Sequence, residues 1–389
     1  MRKHGFLSLI SVMLVLALMV SSMVGCKKTA DESSVEASGS SEASEEKSEG
    51  PSEVSEETSA ARTEESSKES SEESSEESSE AAPEEDLSLI NPLTGEACEE
   101  GVRNRRPLAI MIDNVWIAVP SSGLSEAELF FETIVEGGAT RIMAFFNDVS
   151  DDAVIGACRS LRHNYIEFAA GYDAIVVHAG GSNLAKAALK STGYDDIDAL
   201  GGGSSMFYRD STRSANMGYE HSLMTTGKAF NQYWAESSMR TEYEEGHEFS
   251  MTFSDNPVVV GGVDMPNFTI DWGKSKTSTV EYKEETGTYE FTQHDQLWID
   301  DQTGEAIPIK NVVVIQTDIW TCDDEGHQDM DLNGSGNGYF MVNGQMAEIT
   351  WSREDDNSPF VYTYADGTPV EFGVGKTFIA IICLRGSVH

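Results

Sequence analysis

Two arginines three residues apart, Arg159 and Arg162 in the run IGACRSLR, are the side chains in this sequence best suited to chemistry. A guanidinium presents a rigid fork of N–H donors that meets a phosphate or carboxylate at two points. If the run is helical, Arg159 and Arg162 share a face, and a helix N-terminus beside them favours an anion. Other polar residues stand at or in apolar runs: Asp113 and Asn114 after Leu108–Ile112, Glu132 within Phe130–Val135, Arg141 at the head of Arg141–Phe146, and His178 closing Ala174–His178. Arg209 and His221 come from later loops. These nine residues form the candidate ligand-binding or catalytic set, with arginines for an anion and an acid able to hold a divalent cation. The same charges also have a plainer use: Arg141, Arg159 and Arg162 could pair with Asp113, Glu132 and Asp173 in buried bridges.

The elements that must position these groups follow from the hydrophobic pattern. Between Pro107 and Phe230 the strand-like runs named above alternate with helical stretches at Asn164–Ala170 and Leu184–Lys190, the second after a Gly180-Gly181-Ser182 turn. Such alternation predicts a mixed α/β sandwich around one sheet over residues 87–245. Charged groups at strand ends are then where such folds place a ligand. After about Phe249 the helical pattern stops. Thr-, Tyr- and Val-rich runs take over at Ser278–Tyr282, Thr288–Thr292, Asn311–Thr317, Tyr339–Val342, Met346–Trp351, Phe360–Tyr364 and Thr377–Cys383. Asn343-Gly344 and Asp366-Gly367 supply the positive φ angles of tight hairpins. Residues 246–389 are therefore expected to be mainly antiparallel β, and the fold class is α+β.

The first 86 residues serve a different purpose. Arg2, Lys3 and His4 precede an apolar run from Phe6 to Val20, and small residues lead to Cys26. These are the parts of an export signal over residues 1–26, and a cysteine directly after Gly25 resembles the bacterial lipobox. Cys26 is then the lipid-attachment residue. Acyl chains such as palmitate would hold the protein to the extracytoplasmic face of the cell membrane, each buried methylene contributing about 0.8 kcal/mol. Residues 27–86 hold Ser/Glu blocks such as SSEESSEESSE, with 21 acids against 5 bases. That composition cannot bury enough apolar surface to offset the entropy of ordering, and predicts a disordered, charge-extended tether. A formal net charge of −41 argues against a nucleic-acid partner, because phosphate binding needs clustered Lys and Arg.

Several other signals in the sequence are weaker. Cys98, Cys158, Cys322 and Cys383 have no zinc spacing, and can pair in three ways or stay free. Gly201-Gly202-Gly203 lacks the Lys-Ser/Thr of a phosphate loop and marks a turn. Asp329-Met330-Asp331-Leu332-Asn333-Gly334 begins like a calcium loop but has Phe340 where a bidentate Glu belongs. Trp272, Trp298, Trp320 and Trp351 could form a glycan-stacking face, although tryptophans more often fill a β core.

The motifs that carry the candidate site also carry a resemblance. NPLTGE (91–96), RPLAIMIDN (106–114), SSGLSEAELFFETIVEGGATR (121–141), IGACRSLR (155–162), GYDAIVVHAGGS (171–182), FYRD (207–210), NVVVIQT and GNGYFMVNGQMAEITW resemble, in order, the YerB-like bacterial lipoproteins. The resemblance spans nearly all of residues 91–389. It implies a wall-associated lipoprotein with two adjoining domains and no settled activity, and of the Glu220-His221-Ser222 stretch only His221 matches. A fainter similarity in spacing links Asp113, Arg141 and Arg159 to the LytR-CpsA-Psr phosphotransferases, which hold a polyprenyl pyrophosphate.

Three readings follow. A binding or accessory module of the envelope needs only a shallow polar cleft for an anionic wall glycan or a protein partner. A metal-assisted transferase acting on a polyprenyl-pyrophosphate-linked glycan needs Asp113, Arg141 and Arg159 around a deep apolar channel. A structural envelope protein needs only internal charge pairing. The binding module is the expected function.

Overall fold

In a computed structural model the described residues are 89–99, 101–273 and 276–389. The signal segment, Cys26 and the tether lie outside them. Apolar runs long enough to be buried on both faces dictate the centre of the molecule. Strands β1 (Leu108–Asn114), β2 (Leu129–Ile134) and β3 (Thr140–Phe146) are buried at every position. β1 pairs antiparallel with β3 in a register that sets Asp113 opposite Arg141, and β3 pairs antiparallel with β2. A short strand β4 (Val154–Gly156) precedes helix α1 (His163–Ala170). Strand β5 (Ile175–His178) then runs parallel to β1, helix α2 (Asn183–Thr192) follows, and β6 (Asp196–Asp198) closes this edge. Ser182 caps α2 by accepting from the Ala185 amide at 3.0 Å. Strands β7 (Tyr208–Arg209) and β8 (Leu223–Thr226), on either side of helix α3 (Ser211–Asn216), form a small sheet with β4. Helix α4 (Gly227–Glu236) is the last helix among the described residues.

The main sheet does not stop at β2. The strand Thr377–Cys383, close to the C-terminus, lies parallel to β2 on one side and to Asn311–Thr317 on the other. Beyond these come Gly334–Val342, Gln345–Arg353 and Val263–Asp264, and Val361–Tyr364 also pairs with Gln345–Arg353, so eleven strands from both halves of the sequence share one sheet. Residues on either side of position 245 thus build common cores. On one face Phe130 meets Trp298 and Phe378, and Phe378 meets Phe291, in a core shared with α4 and a five-stranded antiparallel sheet. That sheet comprises Asn267–Asp271, Thr277–Lys283, Thr288–Gln293, Gln296–Leu297 and Ser387–Val388. On the other face Phe131 stacks on Phe168 of α1 at 4.9 Å and meets Tyr172 and Phe360. The mixed class with strands dominating agrees with the sequence pattern. The antiparallel pattern of the second half has one interruption of consequence, the parallel ladder between Asn311–Thr317 and Thr377–Cys383.

The weaker signals resolve individually. The four cysteines among the described residues are free; Cys158 and Cys383 are buried, Cys98 is half-buried and Cys322 exposed. Trp272, Trp298 and Trp351 fill the cores, while Trp320 is exposed. In the calcium-like segment Asp329 pairs with His163 at 3.2 Å and Asn333 reaches Asp356 at 2.7 Å, so those oxygens face other partners. Among the described residues no group of three His, Cys, Asp or Glu side chains could hold a metal ion. No described helix is long and apolar enough to cross a membrane.

Candidate functional site

The strand register distributes the nine candidates over two faces. Along β1, Met111 packs on the α1 side and Ile112 on the other, so by alternation Asp113 points to the α1 side and Asn114 to the opposite one. Asp113 is buried, and its Oδ2 is shared by His221 Nδ1 at 2.6 Å and Arg159 Nε at 3.2 Å. Arg159 continues to the exposed Glu220, whose carboxylate lies 3.3 Å from Nη1 and whose carbonyl accepts at 3.1 Å. Arg213 fixes the His221 loop: its Nε donates to the His221 carbonyl at 3.1 Å and its Nη1 to Pro120 O at 3.0 Å, in the loop after β1. Sequence reasoning passed over both Glu220 and Arg213, because the turn Tyr219–His221 and the six-residue helix α3 are too short to carry a periodic signal.

Arg159 and Arg162 do not share a helical face. The segment Ala157–Arg159 is extended and adds to the free end of β1, Asp113 N donating to Ala157 O at 3.0 Å and Arg159 N to Met111 O at 2.8 Å. Helix α1 begins only at His163, with Arg162 as its extended N-cap. Arg162 turns instead to Glu136 in the β2–β3 turn, joined through both carboxylate oxygens. Beside Glu136 stands His327, at 3.5 Å, held from behind by Asp323 at 2.6 Å.

Arg141 is the exception in this group. Its side chain is buried and donates to the Ser160 carbonyl, yet among the described residues no carboxylate lies within ion-pairing distance. Burial, followed by the neighbouring Arg162, pulls its guanidinium down to about 10, and Arg159 adds to the effect. Three guanidiniums therefore meet where one is left without a counter-charge.

The remaining candidates stand apart from this cluster. His178 is tied to Asp196 at 3.0 Å and to Gly180 O at 2.8 Å. Arg209 lies 4.1 Å over the ring of exposed Tyr219 and donates to its carbonyl at 2.6 Å. Asn114 and Glu132 meet each other on the opposite face, Asn114 Nδ2 donating to Glu132 Oε1 at 2.8 Å, in a buried group completed by Thr140, Gln293 and Lys276. Of the anticipated pairings only Arg159–Asp113 forms, since Glu132 meets Lys276 and Asp173 meets Arg106 and Arg240.

A cavity of about 870 Å³ opens elsewhere, among Glu96, Glu126, Glu128, Asp151, Arg105 and Lys376. Its deepest acid is Glu128, which accepts from Asn91 Nδ2 at 2.6 Å and from the amides of Asn147 and Asp148 at 2.6 and 3.1 Å. Burial outweighs these donors and Lys376, and pushes the Glu128 carboxyl up from 4.5 to about 7. A carboxyl raised in the folded state holds a proton that the unfolded chain releases. Its contribution to stability is therefore full at acid pH and is lost as pH rises from about 4.5 through about 7. The loss amounts to about 3 kcal/mol. Denaturation midpoints measured across this range should fall for the native chain and fall less steeply for Glu128→Gln.

Both halves of the fold have known counterparts. Residues 93–240 match the family described as Protein of unknown function (DUF3048), N-terminal domain, and residues 268–379 match its C-terminal domain. The chain is 28% identical over 305 residues to the "Putative lipoprotein YerB" of Bacillus subtilis (strain 168), a match covering 78% of this chain and 88% of that protein. The crystal structure of the YerB protein from Bacillus subtilis is similar with a TM-score of 0.67 at 26% identity, over 77% of this chain and 99% of the solved one.

Proposed function

Because this chain belongs to the DUF3048 family and is YerB-like through both of that family's domains, we propose that it is a membrane-anchored envelope lipoprotein acting as a binding or accessory module. In this reading Cys26 carries the lipid, residues 27–86 lift the folded part off the extracytoplasmic face, and the Arg141–Arg159–Arg162 end recognises an anionic group. The group belongs to a wall glycan, a polyprenyl phosphate or the acidic surface of an envelope protein.

The observation that supports it is Arg141. A buried charge without a partner is costly, by several kcal/mol for the isolated ion. An arriving phosphate or carboxylate would offset that cost through charge-assisted hydrogen bonds. Asp113, by contrast, is already engaged by His221 and Arg159, and the cavity of about 870 Å³ is not lined by Asp113, Arg141 or Arg159. The arrangement therefore supports anion recognition over the transferase.

Calorimetric titration of the full chain with inorganic pyrophosphate tests this. The native chain should bind, and Arg141→Gln should weaken binding about tenfold or more, the worth of one charge-assisted hydrogen bond. Equal binding by the variant, or none by the native chain, sinks the reading and leaves an envelope protein with internally paired charges.

A further inference from the structure

The buried group on the opposite face of the sheet brings a lysine amine and an asparagine amide onto the same acceptors. Asn114 ends β1, Glu132 lies in β2, Thr140 opens β3, Gln293 ends a strand of the five-stranded sheet, and Lys276 stands immediately before the strand Thr277–Lys283 of that sheet. All five are at most 8% exposed, and Glu132 and Asn114 are at 0% and 1%. Asn114 Nδ2 donates to Glu132 Oε1 at 2.8 Å, Thr140 Oγ1 at 3.1 Å and Gln293 Oε1 at 2.9 Å. Lys276 Nζ donates to the same three oxygens: Glu132 Oε1, Thr140 Oγ1 at 2.9 Å and Gln293 Oε1 at 2.7 Å. Two nitrogens are thus directed at one set of three acceptors. Both are donors and have nothing to give each other, so the shared acceptors alone hold the Lys276 amine beside the Asn114 amide in a site closed to solvent.

We propose that Lys276 and Asn114 are joined by an intramolecular isopeptide bond, formed with Glu132 as the proton-transfer residue. The Nζ lone pair of uncharged Lys276 attacks Asn114 Cγ. Glu132, in hydrogen-bond contact with both nitrogens, takes a proton from Nζ and delivers one to Nδ2. The Cγ–Nδ2 bond breaks, ammonia departs, the Cγ–Nζ amide remains, and Glu132 ends in the state in which it began. No oxidant, metal or second substrate enters the balance.

Three features favour the step. Attack requires a neutral amine, and burial lowers the Lys276 ammonium from its usual value, while Glu132 opposes the shift. The Trp272 ring, itself buried, stands 5.0 Å from Nζ and adds to the apolar wall that excludes water. Two groups held at one site by strands of two sheets react as at a high effective concentration. The bond would tie the end of β1 to the head of Thr277–Lys283 in a molecule whose four described cysteines are free.

Peptide mapping of the full chain, denatured and digested with trypsin, decides the matter. The expected product is a branched peptide joining residues 106–141 to residues 275–283, lighter than their sum by one ammonia, about 17 Da, with no cleavage after Lys276. Glu132→Gln should return a linear 106–141 peptide without the deficit, together with cleavage after Lys276. Cleavage after Lys276 with Asn114 intact in the native chain overturns the proposal, and so does the same mass deficit confined to a linear, succinimide-bearing 106–141 peptide. Should Glu132→Gln fail to fold, Lys276→Arg replaces it. A linear 106–141 peptide of full mass in that variant supports the bond, and a persisting deficit overturns it.

Discussion

Replacing Asp113 with alanine should lower the free energy of unfolding by about 3–5 kcal/mol, the range for removing one partner of a buried ion pair. The size follows from what is left behind. Asp113 Oδ2 is the common acceptor for His221 Nδ1 and Arg159 Nε, and Arg141 stands opposite it in the β1–β3 register. Without the carboxylate, Arg159 keeps only the exposed Glu220 among carboxylates in range, and Arg141 loses the nearest charge that offsets its two arginine neighbours. Urea denaturation followed by tryptophan fluorescence measures the loss. Asp113→Asn should fall between the native chain and the alanine variant, since an amide can still accept one hydrogen bond but carries no charge. Added pyrophosphate should recover more stability in either variant than in the native chain. A loss below about 1 kcal/mol in Asp113→Ala, the worth of a surface pair, would mean that solvent already screens this cluster.

Arg353→Ala should be comparably damaging for a different reason, by about 3–5 kcal/mol. Its side chain is at 0% exposure and ties the end of the Gln345–Arg353 strand to α1. Nη1 meets Glu167 Oε2 at 2.8 Å, Nη2 donates to the carbonyls of Glu167 and Asp356 at 2.9 and 2.6 Å, and Nε donates to Ser358 O at 2.8 Å. The guanidinium also lies 5.3 Å from the Phe360 ring centroid. Truncation strands three carbonyls and a carboxylate whose protonation burial already favours. Arg353→Lys should recover little, because one ammonium cannot reproduce the planar fork. The same denaturation experiment applies, and a lysine variant within about 0.5 kcal/mol of the native chain, the scatter of neutral surface changes, would show that charge alone matters there.

Much of the local structure was legible from periodicity. The runs Asn311–Thr317 and Thr377–Cys383 coincide with observed strands, and the helix expected at Asn164–Ala170 starts one residue earlier. Asn343-Gly344 turns the hairpin between Gly334–Val342 and Gln345–Arg353, both residues at positive φ. What periodicity could not supply is partnership. An apolar run looks the same whether it pairs with β2 or with Asn311–Thr317, so the single sheet spanning both halves left no trace in either sequence. The site suffered similarly. Charge type located Asp113, Arg159 and His221, which do converge, but alternation along β1 and β2 sends Asn114 and Glu132 to the other face. Lys276 was passed over because a lone lysine before a Thr-rich strand is usually a solvated one. Its role appears only when the two sheets are laid together.

The place of Thr377–Cys383 sets the order in which this molecule can come into being. Synthesis delivers residues from the amino end, and the strand that completes β2 and Asn311–Thr317 emerges after both of them. Until it arrives, both neighbours present unpaired backbone edges, the feature that invites pairing with other chains, and the long sequence separation makes closure slow. A chain cut short before Thr377 would lack more than its tail: it would have an open sheet down its middle. Finished and unfinished copies therefore differ in one physical respect, whether the central seam has been filled.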